Sequence, residues 1–217
     1  MDTRNSRRDF IRNGFVTAAA LPLLLNCNGN AHAIDDPISV LACLKKNAQA
    51  RGAEGMGAID VPDNVSWRTA FPIGEEDGEA MIISGTVFNA DGKTPAPNTL
   101  IYFYHTDKYG IYGREGQPKH GRFRGWMLTD AKGRYEFASI RPASYPNSTQ
   151  SQHVHMTITT LDNREDWIDS ILFEGDKFLT QRERDRSGKR GGFNPIVSLA
   201  NGSDGVSRAV RNIQLMA

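Results

Sequence analysis

Gln152-His153-Val154-His155-Met156-Thr157-Ile158-Thr159-Thr160-Leu161 is the stretch that decides how this chain folds. Val154, Met156 and Ile158 alternate with polar residues, which is the two-residue period of a half-buried β-strand. The same period sends His153 and His155 to one face, opposite the apolar residues. Side chains two residues apart on a strand stand roughly 7 Å apart at the backbone, close enough for two imidazoles to converge on one ion. A His-x-His pair alone is more often two polar residues on an exposed strand face. Upstream, Tyr112 and Tyr145 tip that balance by offering two further candidate ligands.

Working outward, the signals remain those of a β-protein. Met81 to Asn89 and Leu100 to His105 are rich in β-branched and aromatic residues, with turn residues at Asp91-Gly92 between them. Phe123 to Thr129 and Arg134 to Ser139 flank Asp130-Ala131-Lys132-Gly133, which reads as a hairpin. Trp167 to Phe173 and Ala209 to Leu215 are the remaining strands. With no long amphipathic helix, the expected fold class is all-β, a β-sandwich or barrel. Residues 34–78 read as a loop-rich N-terminal arm carrying a short helix around Ile38 to Ala48, and residues 79–217 as the sandwich. Thr180 to Asn194, dense in both charge signs and glycine, reads as a solvated loop.

Bulk composition excludes several classes. Of 217 residues, 39% are hydrophobic and 24% charged, which is ordinary for a globular protein and argues against disorder or a multi-pass membrane protein. Residues 1–33 read as an export leader. Arg7-Arg8 has the twin-arginine form, Phe15 to Leu25 is an apolar stretch, and Ala31-His32-Ala33 is a small-residue cleavage site. That stretch of 11 residues is about half the roughly 20 a bilayer-spanning helix needs, so no stable membrane anchor is expected. The expected destination is the periplasm or beyond. Cleavage after Ala33 removes four arginines and two aspartates, leaving 22 basic and 23 acidic residues, net −1, so no nucleic-acid partner is indicated. It also removes Cys27, leaving Cys43 as a small buried thiol in the short helix with no disulfide.

A free phenol ionises near pH 10, so tyrosine becomes a good ligand only beside a strongly Lewis-acidic cation. No matching Cys pair or His-Glu motif is present for a zinc or ferrous site. Phenolate oxygen with imidazole nitrogen suits ferric iron. The plain alternative for each tyrosine is a half-buried aromatic with its hydroxyl on backbone. Tyr109 competes with Tyr112, and only the latter's position after Gly110-Ile111 separates them. His105 and His120 read as solvent-facing, Trp67, Trp126 and Trp167 as core or rim aromatics, and Arg122 and Arg124 as a solvated strand face.

Four segments carry a family resemblance. They are Tyr104-His105-Thr106-Asp107-Lys108-Tyr109-Gly110-Ile111-Tyr112, then Thr129 to Phe137 with Ile140-Arg141-Pro142 and Tyr145-Pro146, then His153-Val154-His155, then Leu172-Phe173-Glu174-Gly175-Asp176. In this order, over roughly Ser84 to Asp176, the chain resembles the intradiol ring-cleavage dioxygenases. The resemblance implies a non-haem Fe(3+) enzyme that opens a catechol ring between its hydroxylated carbons with O2, giving a muconate-type diacid. It implies Tyr112 and His153 as equatorial ligands and Tyr145 and His155 as axial ones, with Tyr145 accepting one substrate proton. The implied partners are a small aromatic diol and O2. Family members are often dimers or larger assemblies, so a homo-oligomer is compatible with the resemblance.

Two positions depart from the family. Gln150 stands where the family often has an arginine that stabilises charge on the substrate, and Ser170 where it commonly has a glutamine. A neutral amide can hydrogen-bond there without supplying charge, so Gln150 is the candidate catalytic residue at that place. Two other readings follow from the same sequence. Ser84-Gly85-Thr86-Val87, Asp91-Gly92-Lys93 and Pro95-Ala96-Pro97 also resemble the carboxypeptidase-regulatory type of sandwich, a non-catalytic binding module. The departures at Gln150 and Ser170 suggest an iron-binding relative with altered chemistry.

Overall fold

The computed structural model describes residues 37–50, 57, 59–74, 77–113, 116, 120–163 and 165–216. Residues 1–33, read as an export leader with its cleavage site and Cys27, lie outside them. The elements in chain order are helix α1 (Pro37–Ala50) and strands β1 (Arg68–Ala70), β2 (Ala80–Phe88), β3 (Leu100–His105), β4 (Arg124–Leu128), β5 (Arg134–Ile140), β6 (His153–Thr159) and β7 (Asp166–Phe173). Helix α2 (Gln181–Arg186) and strands β8 (Ile196–Val197), β9 (Ala200–Asn201), β10 (Ser207–Val210) and β11 (Ile213–Gln214) complete the chain.

The strands form two mixed sheets. The first runs β1-β5-β2-β10-β9, with β11 also on β2, and the second runs β4-β3-β6-β7-β8. Their facing sides make one apolar core: Met81, Ile83, Phe137, Ile101, Phe103, Val154, Met156, Ile171 and Phe173 are fully or almost fully buried. Phe103 and Phe137 stack across the gap with ring centroids 4.1 Å apart. The all-β expectation holds, because period-two alternation supplies each sheet with one apolar face and the only stable use of two such faces is to press them together.

Three sequence readings are corrected here. β4 and β5 are not a hairpin: β4 pairs with β3 in the second sheet and β5 with β2 in the first. The Asp130 turn is a corner between sheets, held by the Asp130 carboxylate accepting from the Lys132 and Arg134 backbone N–H groups. Ala209 to Leu215 is not one strand but two, both parallel to β2. The break falls where the Arg211 carbonyl presses on Gly85, so closely that a Cβ there would lie 1.9 Å from the oxygen. Asn212 Oδ1 accepts from the Thr86 N–H at 3.0 Å and fills the gap in the ladder. Finally, Cys43 is buried but disulfide-bonded, not a free thiol. The free-thiol reading assumed that cleavage removes the second cysteine, which the intact chain retains.

The outer face of the second sheet positions the site. Strand register sets three rows across it. Leu128, Leu100 and Thr159 form the first, Trp126, Tyr102, Thr157 and Trp167 the second, and Arg124, Tyr104 and His155 the third. Val40, Leu41 and Leu44 of α1, with Val61, pack on Leu100 and Leu128 and bury the first row. β6 is therefore buried on both faces along Met156–Thr159, more than its half-buried alternation suggests. The arm also contributes β1, which pairs parallel with β5 at the edge of the first sheet. Within Thr180–Asn194, read as a solvated loop, α2 forms instead. Its N-terminus carries a capping box in which Thr180 and Glu183 satisfy each other's backbone N–H groups.

Candidate metal centre

At the open end of the outer face four side-chain donors meet. His153 and His155 leave β6 on the same side, and their Nε2 atoms are 3.1 Å apart. The Tyr145 hydroxyl lies 3.1 Å from His153 Nε2 and in direct contact with the Tyr112 hydroxyl. Three separate segments thus deliver Tyr112, Tyr145 and the histidine pair to one point. Tyr109 does not take part, being 62% exposed. A glycine secures the Tyr112 loop: at Gly121, with φ +70°, a Cβ would lie 1.3 Å from the Tyr112 carbonyl oxygen.

Burial sets the protonation of this cluster. Tyr112 is pushed well above the ordinary phenol range by burial and by its contact with Tyr145. His153 is pushed down by burial, and His155 down to about 3, by burial first and then by the neighbouring His153 and His120 rings. At neutral pH the pocket therefore holds neutral imidazoles, ready as ligands, and a Tyr112 phenol that needs a nearby cation to ionise.

The surroundings aim the donors. His153 Nδ1 lies 2.6 Å from the Ser151 carbonyl, which can only accept, so the ring proton sits on Nδ1 and the Nε2 lone pair faces the cluster. Ser151 is itself anchored, its hydroxyl donating to Glu183 of α2 at 2.8 Å. His155 Nδ1 lies 3.3 Å from the Ser170 hydroxyl. Adjacent donors that share one first-row ion at about 2.1 Å each are about 3 Å apart when at right angles. The two nitrogen–nitrogen and oxygen–nitrogen spacings match that, and two hard phenol oxygens with two imidazoles suit a highly charged cation.

Other expected residues fall elsewhere. Gln150 is exposed on the approach to β6, outside the donor cluster, with its backbone N–H donating to Ser148. His105 does not face solvent. It is fully buried between the sheets, bonded to the Thr106 carbonyl and to Ser139 at 2.8 Å each, because it continues the inward parity of Ile101 and Phe103. His120 is not simply solvent-facing either, since its ring lies flat on Tyr104 with centroids 3.8 Å apart. Arg122 is paired with Asp77, while Arg124 lies over the Trp126 ring. Trp167, 42% exposed, stands edge-on to His155 and Tyr104 as a rim aromatic. Sequence reading missed Ser151, Glu183 and the contact of Gly57 with this face. Gly57 donates to Glu165 and accepts from the Trp126 indole N–H at 2.6 Å, closing the second row from the arm.

One face of the β-sandwich thus gathers two phenols and two imidazoles at a single point. The chain belongs to the intradiol dioxygenase family: the dioxygenase family model matches residues 62–189, more than half of the sequence. That family uses non-haem iron. The chain is 29% identical over 143 residues to the protocatechuate 3,4-dioxygenase beta chain of Burkholderia cepacia, covering 61% of this chain and 59% of that protein. It is 31% identical over 104 residues to catechol 1,2-dioxygenase of Acinetobacter baylyi, covering 46% and 33%. The matches therefore span only part of the relatives' length. Among solved structures, catechol 1,2-dioxygenase from Acinetobacter sp. ADP1, inhibited by bound mercury, aligns with TM-score 0.55 at 19% identity over 86% of this chain and 74% of that one. The dioxygenase domain of a dioxygenase carbohydrate-binding protein fusion from Streptomyces sp. SirexAA-E aligns with TM-score 0.54 at 22% identity, over 71% and 90%. Both share the fold.

Proposed function

We propose that this protein is a non-haem ferric dioxygenase that cleaves a catechol-type ring between its two hydroxylated carbons, placing both atoms of O2 in a muconate-type diacid. The observation that carries the reading is the meeting of the Tyr112 and Tyr145 hydroxyls with His153 and His155 Nε2 from three segments. These four residues would hold the iron. When bound, the iron supplies Lewis acidity that draws electron density from the diol oxygens and primes the ring for O2.

The chain's own groups do the rest. Two ionised phenols offset two of three positive charges, which favours the ferric state. Tyr145, touching both Tyr112 and His153, is placed to take one diol proton on its oxygen, so that the diol binds as an anion. Ser151 and Ser170 keep the imidazole rings turned toward the cluster. Tyr104, buried beside the Tyr112 and His155 rings, and the exposed Trp167 edge-on to it offer an apolar wall to a planar ring. Export through the twin-arginine route to the periplasm or beyond belongs to the same proposal, on the strength of Arg7-Arg8 and the apolar stretch after it.

A second reading, an iron-binding relative with altered chemistry, is favoured by Gln150, which is neutral and exposed, and by Ser170. Oxygen uptake on a panel of catechols, with the diacid followed by its ultraviolet absorbance, decides between them. The dioxygenase reading expects one O2 consumed per ring opened. A coloured, iron-loaded protein that consumes no O2 on any catechol overturns it in favour of altered chemistry.

A further inference from the structure

The peptide unit that joins Ser151 to Gln152 is bonded on both sides. Its carbonyl accepts from His153 Nδ1 at 2.6 Å, and its N–H donates to Asp176 Oδ2 at 2.7 Å. The carbonyl and the N–H of one amide share a single resonance system, so an acceptor that pulls on the hydrogen pushes electron density onto the oxygen. The Asp176 carboxylate, the peptide and the His153 imidazole therefore make one chain. It ends at the Nε2 lone pair that faces the donor cluster.

Strand pairing and one turn build this chain. His153 is in register with Leu172, so the residues that lead into β6 lie beside the end of β7. There the Asp176 N–H closes a turn on the Phe173 carbonyl at 3.2 Å, with Gly175 before it at φ 81°, a left-handed conformation that glycine adopts freely. The other carboxylate oxygen of Asp176 accepts from the Phe178 N–H, and its carbonyl accepts from the Leu179 N–H. Glu183 holds Ser151 from the far side, accepting from its hydroxyl at 2.8 Å. The second imidazole is backed differently, since His155 Nδ1 has the neutral Ser170 hydroxyl at 3.3 Å.

Resting on the dioxygenase reading, we propose that Asp176 is a positioning residue for His153, acting through the Ser151–Gln152 peptide, and that it makes this imidazole the stronger of the two nitrogen donors to iron. A histidine that binds a metal usually gives its other N–H to a carboxylate or a carbonyl, which fixes the ring and raises its basicity. Here the carbonyl is a relay, and the carboxylate stands one peptide further back. Hydrogen bonds in chains strengthen one another, and those that involve a charge are about twice as strong as neutral ones. A negative charge placed behind a ligand also favours the higher charge on the metal. Asp176 thereby adds to the two phenols in favouring the ferric state, without taking a place in the cluster.

The test uses the full chain, with and without iron, and Asp176→Asn, which can still accept from the Gln152 N–H but carries no charge. Ferric affinity, read by chelator competition, should fall about thirtyfold. Ferrous affinity should fall less, so the ferric–ferrous midpoint potential rises and the phenolate-to-iron band moves to longer wavelength. In the metal-free variant the proton resonance of His153 Nδ1–H should move upfield, with little change in the unfolding midpoint. Glu174→Gln removes the carboxylate two residues away and leaves the peptide alone, so it should move neither the potential, the band nor the resonance. Wild-type values of all three in Asp176→Asn, or equal changes in Glu174→Gln, overturn the proposal. If Asp176→Asn does not fold, Asp176→Ser, smaller and also neutral, is read in its place. Failure of the dioxygenase reading would show earlier, as wild-type protein that takes up no iron.

Discussion

The two faces of the β4-β3-β6-β7-β8 sheet obey opposite rules, although the same strands build both. The inner face is apolar and interdigitated, with Phe103 stacked on Phe137 and Met156 and Ile171 fully buried. The outer face carries rings and polar groups that bond to one another, from Trp126 and Tyr102 to the histidine pair, and is roofed at one end by α1. Non-directional packing holds the first, and directional bonds with a need for a cation hold the second. Stability should therefore reside mainly on one face and chemistry on the other, and each can be broken without the other.

The largest effect should come from the outer face. His153→Ala or Tyr112→Phe is expected to lower activity more than 100-fold and to remove or bleach bound iron, because a donor and not merely packing is lost. Iron content and turnover measured on the same samples check this, and thermal stability of the metal-free protein should change little. Phe137→Ala tests the opposite face. Truncating this fully buried ring should cost about 3–5 kcal/mol in denaturant unfolding. The folded fraction should keep the wild-type visible spectrum, and a shifted spectrum would mean that the faces are coupled.

His105 bridges the sheets and makes the inner face sensitive to acid. Burial pushes it down to about 4 from an ordinary 6.5. The native state then binds fewer protons than the unfolded state between those values, so stability is complete above pH 6.5 and is lost as pH falls toward 4, by at most ~3 kcal/mol. Unfolding midpoints of the metal-free protein at pH 7 and pH 5 should fall more for wild type than for His105→Gln. The smallest effect is reserved for Ser170→Ala, which frees the far nitrogen of His155. It should weaken iron binding roughly tenfold, read by chelator competition, with no change in unfolding midpoint of the metal-free protein.

How much of this was legible follows the same division. Alternation in β6 gave the strand, its two faces and the histidine pair, since period two is a direct imprint of burial. His105 was read as solvent-facing from its polarity, and that reading failed because the residue shares the inward parity of Ile101 and Phe103. The β4–β5 hairpin failed because a good turn sequence at Asp130 fits a corner between sheets as well as a hairpin, and only pairing partners distant in sequence distinguish them. Ser151, Glu183 and Gly57 left no local signal, since their roles arise from segments that meet only on folding. His120 stands in an irregular loop where no period applies. The two candidate ligand tyrosines were readable by family resemblance, not from the physics of the residues.

The central claim is that Tyr112, Tyr145, His153 and His155 share one ferric ion. Its most direct measurement is the visible spectrum of the iron-reconstituted protein, taken with metal analysis, before and after catechol is added. The account predicts one iron per chain, a wine-red band from phenolate-to-iron charge transfer, and a shift to longer wavelength on catechol addition. Protein that stays colourless and holds no iron after reconstitution would contradict it.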